Sequence, residues 1–598
     1  MKQKEVKIAI LDSGVNCAHE KFVNKKVKGK TIVVDEKEDL HLSEVFDDEI
    51  GHGTAVYDII ASLAPQADIT NFKILSRDLT IKTSAFIKIL QYILDNNIYD
   101  IINISITTPE YSDEMKQICD EIIKRGTIIV SAFDNYGGIS YPAAFESVIG
   151  VDISNDVINM NQYEYVEGSL VNVRGYVGPY RVAWTTPSYI LVKGSSYACA
   201  YISSQIANYI CGGNKDHREL LKEYSCKQFS FRRIEWPSMP FQINNAILFP
   251  FNKEIHALVR FSDFLDFRIH AVCDYKYSGF VGASTASILG DVHENYIIQD
   301  VFKTDFASAD TIVIGHIAKY MSLVDREKFE QVIQLAVKHN LNIYSFDDLD
   351  MLNIKVCKGY GKLFVPKVER ENVARNFGKL HEYSQPIVCV VGTSSKQGKF
   401  SLQLILRNKL LDYGYDVGQI GTEPSSLLFG MDYVFPTGYR NFLAIDNWDV
   451  GTCVNEMVSL LCEERKDIIL TGLQTGILPY NKQNINFYPF IQQAYLQTVN
   501  PDAIVLCINP DDDSDHIEDC IKYCESVTEG AVMAIVCFPM ELKTNWRGML
   551  GALDVLKKER YQEIKESLAL RFKIPVYLLG ESEDMDFLVN DIIEFFSE

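Results

Sequence analysis

The chain has 598 residues, of which 47% are apolar and 23% charged, and its formal net charge is −22 at pH 7. This composition is typical of a globular protein with several domains, and its acidity argues against nucleic acid or an anionic membrane as a partner. No run of about 18 apolar residues is present, so we expect no membrane-spanning helix. The 14 cysteines include no Cys-x-x-Cys pair, which favours free thiols in a reducing cytoplasm over a zinc site.

The first 212 residues alternate predicted strands and helices, which indicates an α/β domain around a parallel sheet. Parallel sheets place functional sites at the carboxyl ends of their strands, so polar residues at those ends are candidates for chemistry. The predicted strands are Val6–Leu11, Ile69–Ile74, Asp100–Ile104, Thr127–Val130 and Val148–Val151, and the predicted helices are Thr54–Leu63, Ser84–Asn96 and Asp113–Arg125.

Residues of the three types that cooperate in nucleophilic catalysis, aspartate, histidine and serine, occur in this region. Asp12 ends the first predicted strand, and His52 stands at the start of a predicted helix in the segment Gly51–Val56. Ser195 and Ser196 begin a helix whose apolar residues recur every fourth position. A serine there is often only an N-cap, but the N–H groups of a first helical turn can also stabilise a negative oxygen.

The order Asp, His, Ser and the residues around each of them resemble the subtilisin-like serine peptidases. The segment Gly194–Ala200 resembles the family's Gly-Thr-Ser-Met-Ala, with Ser196 at the nucleophile position. The segment Ser131–Asn135 resembles Ser-Ala-x-x-Asn, whose asparagine completes the oxyanion hole, and residues 141–143 match Tyr-Pro-Ala. The resemblance implies a catalytic triad of Asp12, His52 and Ser196, with Asn135 in the oxyanion hole.

Two departures from the family pattern concern substrate geometry and the nucleophile helix. Thr107 stands where the family has a glycine after its substrate-pairing segment, and Cys199 or Ala200 replaces the proline that follows the nucleophile motif. A retained triad with its asparagine still favours an active enzyme.

The middle of the chain contains a second α/β pattern. Residues 213–255 combine a charged stretch with three prolines, which predicts a linker or connecting arm. Residues 256–384 are Rossmann-like in outline, with predicted strands at Phe267–Asp274, Thr311–Gly315 and Leu341–Ser345. Their glycines do not form Gly-x-Gly-x-x-Gly, so we predict a structural domain without a dinucleotide site.

A glycine-rich loop marks the third pattern, residues 385–598. The buried strand Ile387–Val391 leads into Gly392–Ser401, a loop whose backbone N–H groups can surround phosphates while a lysine neutralises their charge. It resembles the Gly-Thr-x-x-x-x-Gly-Lys loop of P-loop proteins similar to dethiobiotin synthetase, and uncharacterised relatives that join a Rossmann-like half to a P-loop half. The resemblance implies binding of ATP or GTP by Gly392, Thr393, Gly398, Lys399 and Ser401, with Mg²⁺ at Ser401 and no other metal ligand assigned.

The predicted fold class is α/β, with a subtilisin-like parallel-sheet domain, a Rossmann-like domain and a P-loop NTPase-like domain in that order. The expected function is an intracellular, cytoplasmic serine endopeptidase that needs no cofactor of its own and carries a nucleotide-binding module. Its substrate is a peptide or protein, for example a precursor matured in a bacterial natural-product gene cluster. Two alternatives stay open: an ATP-dependent transferase, ligase or kinase in residues 386–598 with an accessory peptidase, and a scaffold in which nucleotide gates the protease.

Overall fold

The computed structural model of the chain divides into two compact units, and the two predicted α/β patterns that follow residue 255 fall largely in the second. Unit 1 comprises residues 1–233 and 374–382, and unit 2 comprises residues 234–373 and 383–598. The structure describes residues 5–75, 80–96, 98–213, 216–232, 236–275, 278–290, 292–318, 326–354, 361–437, 443–479, 481–542 and 553–597.

Unit 1 is built from strands that alternate with helices, as the sequence predicts. Its described strands are β1 Lys7–Asp12, β2 Lys28–Val34, β3 Leu40–Ser43, β4 Asp68–Lys73, β5 Ile101–Ile104, β6 Ile128–Ala132, β7 Ile149–Ser154, β8 Tyr163–Glu167, β9 Val173–Tyr176, β10 Tyr180–Ala183, β11 Tyr189–Val192 and β12 Lys227–Ser230. Its described helices are α1 His52–Leu63, α2 Thr83–Asp95, α3 Asp113–Lys124, α4 Ser195–Cys211 and α5 His217–Glu223.

Ten of the described strands of unit 1 form one sheet in the order β12-β8-β9-β7-β6-β5-β1-β4-β2-β3. The other two, β10 and β11, form a separate hairpin. Neighbours in the large sheet are parallel apart from the pairs β2–β3 and β8–β9. The α/β class with parallel sheets is therefore confirmed. Strand β1 lies between β4 and β5, so its carboxyl end is at the middle of the sheet.

Side chains of β1 alternate between two cores, as the period of a strand requires. Ile8 and Ile10 belong to the core that contains residues of α1 and α4. Ala9 and Leu11 belong to the core on the other face, with residues of α2 and α3. The sheet is therefore buried on both sides, which explains why β1 reads as a nearly continuous apolar run.

The predicted connecting arm, residues 213–255, is instead part of the folded units. It contains α5, the edge strand β12, which pairs with β8, and a strand of unit 2, Asn245–Phe249. Strand β12 is mostly exposed, so it lacks the apolar alternation that predicts a strand. The neighbouring prolines, which favour turns, obscured the buried run Asn245–Phe249.

Unit 2 contains the remaining elements. Its described strands are β13 Asn245–Phe249, β14 Arg268–Asp274, β15 Gln299–Asp300, β16 Thr311–Ile314, β17 Asn342–Ser345, β18 Leu363–Phe364, β19 Val368–Glu369, β20 Ile387–Gly392, β21 Val417–Gly421, β22 Tyr433–Val434, β23 Leu443–Ala444, β24 Ile468–Gly472, β25 Ala503–Ile508, β26 Ala531–Cys537, β27 Met540–Leu542, β28 Leu553–Val555 and β29 Val576–Leu578. Its described helices are α6 Lys253–Arg260, α7 Thr285–Leu289, α8 Arg326–Lys338, α9 Lys399–Asp412, α10 Asn447–Glu463, α11 Phe490–Val499, α12 Ser514–Val527, α13 Lys558–Phe572 and α14 Ser582–Phe595.

Two parallel sheets organise unit 2. The first has the order β15-β14-β13-β16-β17-β18, and the second has the order β22-β21-β24-β20-β25-β26-β29. They correspond to the predicted Rossmann-like and P-loop halves. The Rossmann-like sheet begins at β13, before the predicted start at residue 256, and residues 374–382 of that predicted domain belong to unit 1. Within the described residues, no helix is long and apolar enough to cross a lipid bilayer.

Candidate active site and phosphate-binding loop

Asp12 and His52 are brought together by the first strand and the first helix of unit 1. Asp12 is the last residue of β1 and is buried, and His52 is the first residue of α1. The two side chains are 2.8 Å apart between Asp12 Oδ1 and His52 Nδ1. Gly53 allows this approach, because a Cβ there would lie 2.3 Å from the Gly14 carbonyl oxygen. The imidazole is thereby held through Nδ1, and Nε2 is left for chemistry.

A buried polar network fixes the turn before His52. Asp48 Oδ1 accepts hydrogen bonds from the backbone N–H groups of Ile50 and Gly51 and from the Ser13 hydroxyl. Its Oδ2 accepts from the Thr54 N–H and hydroxyl. Because Ser13 also accepts from the Gly53 N–H, the turn that carries Asp12 and the helix that carries His52 are tied together.

The charge of Asp12 controls the ionisation of His52. Burial of the imidazole lowers its pKa, but the charge and hydrogen bond of Asp12, with a smaller contribution from Asp48, outweigh burial. The net result is a His52 pKa above its ordinary value of 6.5. A base whose charged form is stabilised in this way is suited to accept a proton from a hydroxyl.

The two serines at the start of α4 have different partners. The Ser195 hydroxyl donates to the Phe133 carbonyl oxygen, and the Ser195 N–H donates to Asn135 Oδ1 at 2.7 Å. Ser196 is buried, with 8% of its surface exposed. The ring centroid of its neighbour Tyr197 lies 5.3 Å from that of His52. Of the two serines, Ser195 therefore has its hydroxyl and its N–H engaged by Phe133 and Asn135.

Asn135 lies beside the start of α4 because Gly194 leaves room for it. A Cβ on Gly194 would lie 2.8 Å from Asn135 Oδ1, and Gly194 has a φ of +140°, which disfavours side chains. Since Oδ1 accepts from Ser195, the amide Nδ2 is the end of Asn135 that can donate to another group.

The described residues include no hydrogen bond between the Ser196 hydroxyl and His52. Such bonds are often long in the absence of substrate and tighten in the complex. The structure thus places Asp12, His52, Ser196 and Asn135 in one region of unit 1, with the Asp12–His52 and Asn135–Ser195 contacts formed.

The glycine-rich loop of unit 2 joins β20 to α9, and its polar side chains are bonded to one another. Gln397 Nε2 donates to Thr393 Oγ1 at 2.6 Å and to Asp512 Oδ2 at 3.0 Å, and the Thr393 hydroxyl also donates to Asp512. Gly392 is closely surrounded, because a Cβ there would lie 2.6 Å from Gln397 Oε1. Gly398 adopts a φ of +74° at the N-cap of α9.

Lys399 is the buried cation of this loop. Its Nζ donates to the Ser394 carbonyl oxygen at 2.6 Å, and the side chain is 5% exposed. Burial lowers its pKa to about 8. Ser401 lies two residues further along α9 and is partly exposed. A buried ammonium among backbone groups at a helix start is suited to an anionic ligand.

Family comparison agrees with the geometry of unit 1. The model of the "Subtilase family" matches residues 3–227. These residues form a subtilase domain. The region of the match includes all four predicted catalytic residues, and its fold is the parallel sheet described above.

Curated relatives match the same region. Subtilisin DY from Bacillus licheniformis is 27% identical over 221 residues, which are 34% of this chain and 77% of that protein. The major intracellular serine protease of Bacillus subtilis (strain 168) is 27% identical over 229 residues, 35% of this chain and 69% of that protein. The human membrane-bound transcription factor site-1 protease is 32% identical over 157 residues, which are 24% of this chain and 14% of that protein.

The C-terminal region matches a different model, the "Domain of unknown function (DUF1611_C) P-loop domain", over residues 375–576. The predicted pairing of a subtilisin-like domain with a P-loop domain is confirmed. A solved structure of a DUF1611 family protein from Anabaena variabilis covers 59% of this chain and all of that chain, with 16% identity and a TM-score of 0.43.

The sequence analysis did not predict two sets of polar residues. Asp48 has no motif of its own, although its position shortly before His52 in the subtilase domain was a signal. In unit 2, His316 Nδ1 lies 2.7 Å from Asp347 Oδ1, and Asp347 Oδ2 accepts from the N–H groups of Ile317 and Ala318. His316 and Asp347 follow the neighbouring strands β16 and β17, which was the available signal.

The pKa of His316 is set by opposing influences. Burial lowers it, but the hydrogen bond and charge of Asp347, together with Glu254 and Glu423, raise it above its ordinary value. Tyr344 of β17 donates its hydroxyl to the Pro424 carbonyl oxygen at 2.6 Å, which joins the two halves of unit 2 next to Glu423. The described residues include no group of three or more His, Cys, Asp or Glu side chains arranged to hold a metal ion.

Proposed function

We propose that the subtilase domain is a serine endopeptidase with Ser196 as its nucleophile. Ser196 attacks a peptide carbonyl while His52 takes its proton and later donates it to the leaving amine. Asp12 holds the imidazole in the required tautomer and stabilises its charged form. Asn135 Nδ2 and the Ser196 N–H donate to the oxyanion that forms.

One observation carries this proposal. His52 Nδ1 is engaged by Asp12, while the Ser195 hydroxyl is engaged by the Phe133 carbonyl, so the reactive positions fall to His52 Nε2 and Ser196. The same pattern assigns Ser195 the supporting role of orienting Asn135 through its N–H.

The proposed substrate is a peptide or protein inside the cell, including a precursor that is trimmed during maturation. The similarity to a protein named an intracellular serine protease supports this setting. The described cysteines are all free thiols, which is compatible with a reducing cytoplasm.

A fused nucleotide site is the second part of the proposal. The loop from Gly392 to Ser401 would hold the phosphates of ATP or GTP, with Lys399 as the cation and the Ser401 hydroxyl as a ligand of Mg²⁺. The fit rests on Gly392, where a Cβ would lie 2.6 Å from Gln397 Oε1, and on Lys399, which is buried at the start of α9.

Incubation of the full chain with a fluorophosphonate probe, with and without ATP and Mg²⁺, tests both parts. We expect labelling of the wild type, none in Ser196→Ala, and retained labelling in Ser195→Ala. Labelling that survives in Ser196→Ala but not in Ser195→Ala would move the nucleophile by one residue. A rate that changes with nucleotide would favour a protease gated by nucleotide.

The alternative is an ATP-dependent transferase, ligase or kinase in unit 2 with an accessory peptidase, and the His316–Asp347 pair favours it. Such a reaction needs a base to take the proton of the attacking group, and Asp347 orients His316 for this role. The charge of Lys253 lowers the pKa of Lys399 and that of Glu423 raises it. Glu423 also raises the pKa of His316, so one carboxylate influences both the loop lysine and the histidine of the pair.

ATP turnover by the Ser196→Ala protein, measured with Mg²⁺ as release of ADP or AMP, tests the alternative. Turnover that is lost in Lys399→Ala and in His316→Ala would support it. Nucleotide binding without turnover, together with peptide cleavage by the wild type, would favour the peptidase.

A further inference from the structure

A short segment of the chain leaves unit 2, joins the subtilase domain and returns. Residues 374–382, called the arm below, lie between β19 and β20 of unit 2 in sequence but belong to unit 1 in space. They also lie almost wholly inside the stretch that matches the DUF1611 model. The folded subtilase domain therefore includes residues that are more than 140 positions beyond the end of the family match.

The arm binds the loop that carries Asn135 through its backbone. The Ile139 N–H donates to the Leu380 carbonyl oxygen at 2.8 Å. Gly138 makes this approach feasible, because a Cβ there would lie 2.1 Å from the same oxygen. Loop and arm are therefore in direct backbone contact four residues after Asn135.

Lys379 adds a buried ammonium to this contact. Its Nζ donates to the carbonyl oxygens of Asp134 at 2.7 Å and Gly137 at 3.3 Å, and it lies 3.7 Å from Asp152 Oδ2. The side chain is only 7% exposed, so its charge is largely desolvated and depends on these three acceptors. The two carbonyls stand on either side of Asn135, so the ammonium clamps the turn that presents it.

The remainder of the arm is anchored so that Lys379 is held in place. The Phe377 ring lies 4.1 Å below the Arg174 guanidinium and meets Phe229 edge-on. Asn376 Oδ1 accepts from the Leu170 N–H at 3.3 Å. These contacts hold Phe377 at a φ of +55°, in the left-handed region that residues other than glycine rarely adopt.

The contacts continue from the arm to the candidate nucleophile. Lys379 holds the carbonyls beside Asn135, Asn135 Oδ1 accepts from the Ser195 N–H, and Ser195 precedes Ser196. An oxyanion donor must be held close to its productive position, because the stabilisation comes from donors fixed in advance.

We propose that the arm is a working part of the peptidase and that Lys379 is a positioning residue for the oxyanion-hole asparagine. This inference rests on the proposed peptidase function. It means that the subtilase domain needs, for full activity, a segment of the chain that lies far beyond its own family match.

The test compares Lys379→Met with the wild type in the full chain. The substitution keeps length and apolar bulk but removes the ammonium. We expect the rate of fluorophosphonate labelling, and kcat on a peptide substrate, to fall by about 10- to 100-fold with little change in KM. The upper bound is the loss of a whole oxyanion donor, about 10²–10³-fold, a range known from a subtilisin. Lys222→Met, which removes an exposed ammonium paired with Glu167, is the control and should match the wild type.

A double-mutant cycle separates positioning from general destabilisation. If Lys379 acts through Asn135, then Asn135→Ala with Lys379→Met labels no more slowly than Asn135→Ala alone. Losses that multiply in the double variant, or a wild-type rate in Lys379→Met, would overturn the inference.

The failure of the proposed function gives a different result. If the wild type itself is not labelled at Ser196, the peptidase proposal fails, and hydrogen exchange of the loop then decides the positioning role. Faster exchange of residues 133–139 in Lys379→Met, with α1 unchanged, supports the clamp. Unchanged exchange of that loop contradicts it.

Discussion

Each unit contains a buried aspartate that holds a histidine through Nδ1. In the subtilase domain the Asp12–His52 distance is 2.8 Å, and in unit 2 the Asp347–His316 distance is 2.7 Å. The imidazoles are 19% and 15% exposed, so the two pairs have almost the same geometry and burial. In both, the carboxylate outweighs burial and raises the pKa of the histidine.

The surroundings of the two histidines differ. His52 lies near the start of α4, which contains Ser196 and contacts Asn135, the proposed nucleophile and oxyanion donor. His316 instead lies near the acidic side chains of Glu254 and Glu423. An aspartate that orients a histidine therefore does not by itself define a function. The chemistry of the histidine depends on the groups near its second ring nitrogen, Nε2.

The largest expected effect comes from Asp12→Asn, which removes the acceptor that fixes the tautomer of His52. Fluorophosphonate labelling should fall by about 10⁴-fold, the size of this effect in a serine-protease triad. Asp347→Asn is the matched control, because it makes the same change in the other pair. A loss of labelling in Asp347→Asn would contradict the independence of the two pairs.

Asn135→Ala should slow acylation of Ser196 by about 10²–10³-fold, the range known for one oxyanion donor in a subtilisin. The exposed Asn161 offers a control, and Asn161→Ala should label at the wild-type rate. An unchanged acylation rate in Asn135→Ala would remove Asn135 from the site.

Lys399→Ala should weaken the binding of ATP or GTP at least about tenfold, because the phosphates would lose a buried positive charge. Lys396→Ala, which removes an exposed lysine of the same loop, should have a small effect. Titration calorimetry on the full-length Ser196→Ala protein measures both. Equal affinities in the wild type and Lys399→Ala, or no binding by the wild type, would reduce the loop to a structural turn.

The smallest expected effect is a shift in pH dependence. Peptide cleavage needs neutral His52, and its pKa is raised above 6.5, so kcat/KM should fall as the pH drops through that raised pKa. In Asp12→Asn the main influence that raises the His52 pKa is gone, only the smaller one of Asp48 remains, and burial still lowers the pKa, so the residual activity should persist to lower pH. An acidic limb at the same pH in both proteins would show that another group controls it.

Local sequence patterns predicted the residues that follow one strand or begin one helix. Asp12 and Lys399 belong to short strand–turn–helix patterns, in which the chemistry and the backbone are encoded together. The fold class and the family resemblance are confirmed, while the roles of the site residues stay predictions.

Local patterns could not predict contacts between residues that are far apart in the sequence. Lys379 lies 245 positions from Asp134, and no local periodicity relates them. The edge strand β12 was also not predicted. It pairs with β8, but its own residues are mostly exposed and show no apolar alternation that would predict a strand.

Of the two aspartate–histidine pairs, only Asp12–His52 is proposed to activate a serine. Mapping the fluorophosphonate adduct by mass spectrometry on the full chain tests it most directly, with His52→Ala and His316→Ala as the two variants. We expect a single adduct, on Ser196, which is lost in His52→Ala and retained in His316→Ala. An adduct on another residue, or one that disappears in His316→Ala and remains in His52→Ala, would contradict it.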